Sequence, residues 1–177
     1  DVPALSRGTG YLPLIGGSTP KPTPAPTAAP CNLSPEAAAF FWLLQFDARQ
    51  QRTHMECDAR LVRAAENRAK AQFGEGLSHC DIFGICANVY VRAAGCRLPE
   101  HYAVNGNNVE ELGGGTDSFM EMFRALARSP SHKVHLCGEN EFFRRQTKVG
   151  IAHVVLPHLR WQHYWAIIIT ECERNPT

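Results

Sequence analysis

Two histidines stand in short segments that each follow a predicted helix. His79 lies in "GLSHCD" and His132 lies in "ARSPSHK". Loops on a rigid scaffold often carry function, and an imidazole can bind a metal ion or exchange a proton near neutral pH. Either histidine alone is typical of a surface or capping position, and their wide separation matches no metal-binding motif. They form a candidate site only if the fold brings them together.

Helical periodicity predicts four helices that would hold these segments. The run "SPEAAAFFWLLQFDARQQ" begins with an N-cap residue and with a proline typical of the first helical position. A second helix is predicted over about 57–73 and a third over 81–94. Thr116 is predicted to cap a fourth helix over 117–127, and the segment "VEELGGGTD" that includes Thr116 is predicted to be a turn.

The periodicity changes from helix to strand after Gln146. The segments "TKVGIAHVVLP" and "QHYWAIIITECE" are rich in β-branched residues and predict a long antiparallel hairpin. Helices first and a hairpin last predict an α+β domain or a three-layer α-β-α domain. His153 shares a strand face with apolar residues and is interpreted as a core histidine instead of a third ligand. His163 and Trp165 share a face and are predicted to line the rim of a groove.

The charge balance gives no support for a strongly acidic partner. Lys and Arg total 18 and Asp and Glu total 17, which gives a formal net charge of +1. This balance offers no electrostatic reason to expect nucleic acid or an anionic membrane as a partner. No apolar run approaches the ~20 residues that span a bilayer, so the sequence predicts no transmembrane segment.

Seven cysteines are spread singly along the chain, without a C-x-x-C pair. This pattern predicts disulfides in an oxidising compartment, with at least one cysteine left free or paired between chains. Cys86 is the favoured partner of Cys80, and the states of Cys57 and Cys137 stay the most open. Because the chain starts at Asp1 without Met or a signal peptide, it is interpreted as a mature or trimmed secreted protein, although a sequence cut at an artificial boundary would look the same.

Composition divides the chain into two parts. Residues 1–30 include "GGSTPKPTPAPTAAP", in which Pro alternates with Thr and Ala, and such a segment is predicted to be an extended spacer. The compact domain is predicted over 31–177, beginning at Cys31.

Several segments within residues 48–169 occur in a recognisable order. They are "CDARLVRAAENRAKA", "LSHC", "AAGC", "VNGNNVEE", "LARSPSHK", "VGIA" and a late "YW". In this order and spacing the chain resembles the CAP superfamily of cysteine-rich secretory proteins, insect antigen 5 and plant pathogenesis-related proteins. The bacterial secreted branch of that family is the nearest match.

The resemblance implies an α-β-α sandwich with an antiparallel sheet, a C-terminal hairpin and a surface cleft into which two histidines point. By position these are His79 and His132, and in several family members such histidines bind zinc. Two protein ligands would make a weak, exchangeable zinc site. The implied cleft also includes Asn107, Asn108, Glu110 and Glu111.

Asn107 stands where the family has its first cleft glutamate, and an amide can form hydrogen bonds but cannot ionise. Glu110 or Glu111 could compensate, although the simpler interpretation makes them solvated turn residues. The literal Gly-Glu-Asn triplet over 138–140 follows His132, whereas the family triplet precedes the fourth helix. We interpret the triplet over 138–140 as a coincidental turn.

Three functions follow as hypotheses. The favoured one is a secreted or cell-surface CAP protein that binds a ligand, a peptide or a metal ion in the cleft. The second is a metal-dependent or degenerate hydrolase that uses the same histidine pair, for which Asn107 removes the expected base. The third is a lipid- or sterol-binding module, which some eukaryotic family members are linked to. A purely structural or adhesive role, with the Pro/Thr-rich segment as a stalk, stays open beside them.

Overall fold

The computed structural model describes residues 30–173; the predicted spacer over 1–30 lies almost wholly outside this range. A short 3-10 turn at Pro30–Asn32 leads into six helices within the described residues. They are α1 (Pro35–Phe46), α2 (Ala59–Lys70), α3 (Ala87–Ala93), α4 (Phe119–Arg128), α5 (Pro130–Leu136) and α6 (Glu141–Arg144). The helices begin where capping chemistry allows, as at Ser34, whose hydroxyl accepts a hydrogen bond from the Ala37 amide.

Four strands form one mixed sheet in the described part of the chain. They are β1 (Glu56–Cys57), β2 (Glu110–Gly114), β3 (Lys148–Leu156) and β4 (Gln162–Thr170), in the spatial order β1-β3-β4-β2. β3 and β4 form the predicted antiparallel hairpin, β2 pairs antiparallel with β4, and β1 pairs parallel with β3. The expectation of an antiparallel sheet is therefore confirmed for β2, β3 and β4 and is wrong at β1, which makes the sheet mixed.

Helices cover both faces of the sheet. One apolar cluster lies between α1, α4 and α5 and the sheet face that carries Ile151, Trp165 and Ile167. A second cluster lies between α2 and α3 and the opposite face, which carries Ala166 and Ile168. Alternate residues of β4 enter alternate clusters, as the two-residue period of a strand requires.

Three element predictions from the sequence are wrong. The third helix is shorter than 81–94, because residues 80–86 form a loop that is closed by a disulfide and turned at Gly84, where φ is +74°. The segment predicted to be a turn contains β2. Its glycines allow close packing: a Cβ on Gly113 would meet the Met122 sulfur, and one on Gly114 would meet Trp161. The fourth helix begins at Phe119 and is capped by Ser118, not by Thr116.

The cysteines pair as Cys31–Cys57, Cys80–Cys86 and Cys96–Cys172, and Cys137 is free and buried. Burial raises the pKa of the Cys137 thiol above its usual value, which keeps the thiol protonated and unreactive. Three disulfides fit a secreted or extracellular protein. None of the helices within residues 30–173 has the length and apolar character needed to cross a membrane.

Gly150 lets α2 lie directly on β3. A Cβ at this position would overlap the backbone of Leu61 and Val62, and a helix backbone cannot move aside as a flexible side chain can. We therefore expect Gly150→Ala to lower the free energy of unfolding by about 3 kcal/mol, the upper part of the usual range for overpacking. Denaturant unfolding would measure this. An unchanged midpoint would show that α2 can separate from the sheet at little cost.

Candidate functional site

The site is built on two neighbouring glutamates of the edge strand β2. Glu110 lies opposite Ile168 and Glu111 lies opposite Ile167. Because successive side chains of a strand point to opposite faces, Glu110 enters the layer of α2 and Glu111 enters the layer of α5. Both residues are buried, so the interpretation of solvated turn residues is wrong.

Glu110 lies between a buried arginine and a partly exposed histidine. The Arg68 Nε of α2 donates to Glu110 Oε1 at 2.9 Å, and both side chains are fully buried. Arg68 also donates to the Ser78 carbonyl and lies over the Tyr90 ring, which fixes the guanidinium in place. The His79 Nδ1 lies 3.0 Å from Glu110 Oε2, and the His79 side chain is 42% exposed. A proton on Nδ1 leaves the His79 Nε2 lone pair available to a ligand.

Glu111 has the corresponding arrangement on the other face. The His135 Nδ1 of α5 lies 2.7 Å from Glu111 Oε1, and the His135 ring is buried. One helical turn earlier, the His132 Nε2 lies 3.5 Å from Glu111 Oε2, and the His132 side chain is 33% exposed. Each glutamate therefore contacts one buried basic side chain and one partly exposed imidazole.

The partners of His135 determine how many protons it shares with Glu111. Its Nε2 lies 3.1 Å from the Ile169 carbonyl oxygen, which can only accept, so Nε2 carries a proton. The contact of 2.7 Å between Nδ1 and Glu111 Oε1 places one further proton between these two side chains. His135 therefore joins the Glu111 carboxyl group to the backbone of β4.

Asn107 and Asn108 shape the entrance to β2. The Asn107 Oδ1 accepts hydrogen bonds from the Val109 and Glu110 amides, and its Nδ2 donates to the Glu110 carbonyl. The Asn108 Oδ1 accepts from the buried Asn88 side chain. Asn107 thus supports the backbone of the strand, and the carboxylates lie three and four residues further along.

A cleft of about 200 Å³ brings these groups together. All six residues that the sequence proposed for the site line this cleft, and the remaining lining residues are Val109, Ser131, His135 and Phe143. His132 lies in the first turn of α5 and not in a loop, because Pro130 takes the first helical position.

Sequence reasoning missed two supporting residues. Arg68 lies on the buried face of α2 with Leu61, Ala64 and Ala65, and an arginine within an apolar stripe is a recognisable signal. His135 was not distinguished from the other histidines. Its spacing of three from His132 places both on one face of a helix, but that signal depends on recognising α5.

The cleft has the donor types of a zinc site but not its arrangement. Within residues 30–173, no group of three or more His, Cys, Asp or Glu side chains is placed to hold a metal ion. His79 retains one free ring nitrogen, whereas His132 presents Nε2 to Glu111 and buries Nδ1 without a hydrogen-bond partner among the described residues. Shared metal binding by these histidines would require the His132 ring to turn.

The triplet over 138–140 lies outside the cleft lining. Gly138, with φ of +66°, ends α5, and the Asn140 side chain caps α6 by accepting from the Phe143 amide. The Glu139 carboxylate pairs with Lys133. The triplet therefore has a structural role between two helices.

Comparisons with known proteins bear on the fold alone. No protein-family model and no curated protein matches the chain. The solved structure of an outer surface protein from Borrelia burgdorferi matches with a TM-score of 0.53 at 17% identity. The match covers 76% of this chain and 90% of that chain. The chain is therefore similar in fold to a bacterial outer surface protein.

Proposed function

We propose that this chain is an extracellular binding protein of the CAP type, whose ligand enters the cleft and contacts His79 and His132. One observation carries the proposal: two imidazoles from opposite layers of the fold reach one cleft, and each rests on a buried glutamate. Such a carboxylate orients the imidazole and fixes its proton. The order of segments in the sequence supports the CAP assignment, and the disulfides support an extracellular location.

The ligand that fits best is a small polar group, such as a polar peptide side chain or a hydrated divalent ion. A cleft of about 200 Å³ lies below the ~300–1,000 Å³ of sites for drug-sized molecules. Zinc is one candidate because imidazoles and carboxylates are its usual ligands. His79 and His132 would supply the imidazoles, with water in the remaining positions.

The test is to follow the histidine ring nitrogens by NMR. Zinc chloride, free amino acids and short peptides are added in turn to the full chain. At least one of these probes is expected to shift the His79 and His132 signals. In the single variants His79→Gln and His132→Gln, the signal of the cleft histidine that remains should shift less, because its ligand has lost the other contact. The control His158→Gln, at an exposed position in the hairpin turn, should respond like the unmodified chain. No response of either cleft histidine to any probe would contradict the proposal.

Hydrolysis is a second candidate because of the contact between His79 and Glu110. An imidazole that donates Nδ1–H to a carboxylate can use Nε2 as a general base toward water. The base that Asn107 does not provide could therefore be His79 itself. This function requires turnover of a peptide or ester that His79→Gln abolishes. Equal turnover by the variant would assign the activity to a contaminant.

The lipid-binding hypothesis concerns a different groove of the molecule. A second groove of about 400 Å³ is lined mainly by apolar residues of α1 and of the segment after it, including Phe41, Trp42, Phe46 and Met55. This groove is larger than the cleft and contains neither His79 nor His132. Sterol or lipid binding stays a prediction, and it would be insensitive to both histidine substitutions.

A further inference from the structure

The hairpin carries a second pair of histidines, separate from the residues that line the cleft. His153 of β3 lies opposite Trp165 of β4, and His163 of β4 lies opposite Val155 of β3. The His153 Nε2 lies 3.0 Å from the His163 Nδ1, and the two ring planes differ by 17°. Both side chains are partly exposed, so solvent reaches the pair.

The contact between the rings fixes how their protons are arranged. Two ring nitrogens at 3.0 Å share one proton, so one ring donates and the other accepts through its lone pair. This differs from the cleft, where each imidazole faces a carboxylate. In the hairpin, two ring nitrogens from neighbouring strands lie within hydrogen-bond distance of each other, which is close enough for both to bind one metal ion once the rings turn.

From this geometry we propose that His153 and His163 form a chelating site for a divalent transition-metal ion of the nickel or copper type. With metal–nitrogen bonds of about 2.0–2.1 Å, neighbouring ligands at 90° lie about 2.9 Å apart and tetrahedral ligands about 3.4 Å apart. The observed 3.0 Å is the spacing of the hydrogen-bonded rings before they turn, and it shows that both nitrogens can reach one ion. Imidazole ligands suit nickel and copper, which take the 90° arrangement.

Binding requires ring rotation and no movement of the strands. The terminal torsion of a histidine is broad, so both lone pairs can turn toward one ion between the rings. The shared proton moves through water to the outer nitrogen of the donating ring. Both rings then stay neutral and no proton is released. Water molecules complete the coordination.

One further feature supports a metal ion at this place. The rings are held by neighbouring strands of the sheet, and the His153 ring also stacks on Trp165 at 4.4 Å between ring centroids. Both proposed ligands are therefore carried by backbone that need not move when an ion binds.

The stack on Trp165 provides a direct measurement, since bound nickel quenches the fluorescence of a nearby indole. We expect nickel chloride to quench part of the tryptophan emission of the full chain with saturation at one equivalent, reversed by EDTA. His163→Gln keeps the stack of His153 on Trp165 but removes one ligand. It should weaken nickel binding at least tenfold, about 1.4 kcal/mol or more.

Two control variants separate this site from others. His158→Gln removes an exposed histidine of the same hairpin turn and should bind nickel as the unmodified chain does. His79→Gln/His132→Gln removes the cleft histidines and should also retain saturable quenching. Loss of quenching in the cleft variant, or equal quenching in His163→Gln, would overturn the proposal for the hairpin and leave the proposed function of the cleft unaffected. Circular dichroism checks that each variant folds.

Discussion

Replacing Arg68 with methionine is expected to lower the free energy of unfolding by about 3–5 kcal/mol, the usual cost of removing one partner of a buried ion pair. Methionine fills much of the space of the arginine stem but leaves the Glu110 carboxylate buried without its cation. His79 compensates little, because its ring is partly exposed. Chemical denaturation with the disulfides intact would measure the loss.

The double variant Arg68→Met/Glu110→Met is the matched control for this effect. If the cost arises from an uncompensated buried charge, removing both charges should recover most of the lost stability. Equal destabilisation of the single and double variants would show that the ion pair itself is strongly stabilising. If Glu110 orients the His79 ring for its ligand, the double variant should also lose the response of His79 to that ligand.

His135→Ala is expected to cost about 3–5 kcal/mol, because it leaves two buried groups without a hydrogen-bond partner and each such group costs roughly 1–3 kcal/mol. It removes the buried partner of Glu111 and leaves the Ile169 carbonyl without its donor. The same measurement on His132→Ala gives the comparison. Because the His132 ring is partly exposed and lies 3.5 Å from Glu111, its loss should cost less than about 1 kcal/mol.

If both alanine variants lose the same stability, the assignment of a buried supporting role to His135 and a ligand-facing role to His132 is wrong. If only His135→Ala lowers the free energy of unfolding strongly, the next measurement is ligand binding by the His132→Ala variant. A stable variant without ligand response would identify His132 as a contact residue, because its effect could not then be attributed to folding.

The parts of the fold with strong local signals were predictable. The hairpin of β3 and β4 follows from two β-branched runs, and α1 begins at a typical cap and proline. β2 was not predictable in the same way, because its glycines suggest a turn. Only the contacts of Met122 and Trp161 explain why small residues are needed there. β1 is two residues long and its pairing with β3 depends on tertiary structure.

The candidate site followed from the order of segments more than from any single residue. His79 and His132 were singled out because their segments occupy matching places in a known order. The burial of Glu110 and Glu111 could not be read from "VEELGGG", because two adjacent acidic residues in a loop are usually solvated. Their environment depends on Arg68 and His135, which lie far from them in the chain. The chemistry of the site therefore depends on long-range packing.

The two glutamates of β2 have a further consequence for association between molecules. β2 lies at one side of the described sheet, and an edge strand can pair with a strand from another chain unless it is protected. Inward-pointing charged residues are one way in which natural proteins discourage such edge-to-edge growth. If the pairing of β2 with β4 slipped by one residue, Leu112 would take the place of Glu111 beside the His135 imidazole. The buried imidazole would then lose its carboxyl partner. By this rule, the carboxylates that contact the cleft histidines should also disfavour pairing of β2 with a strand of a second molecule.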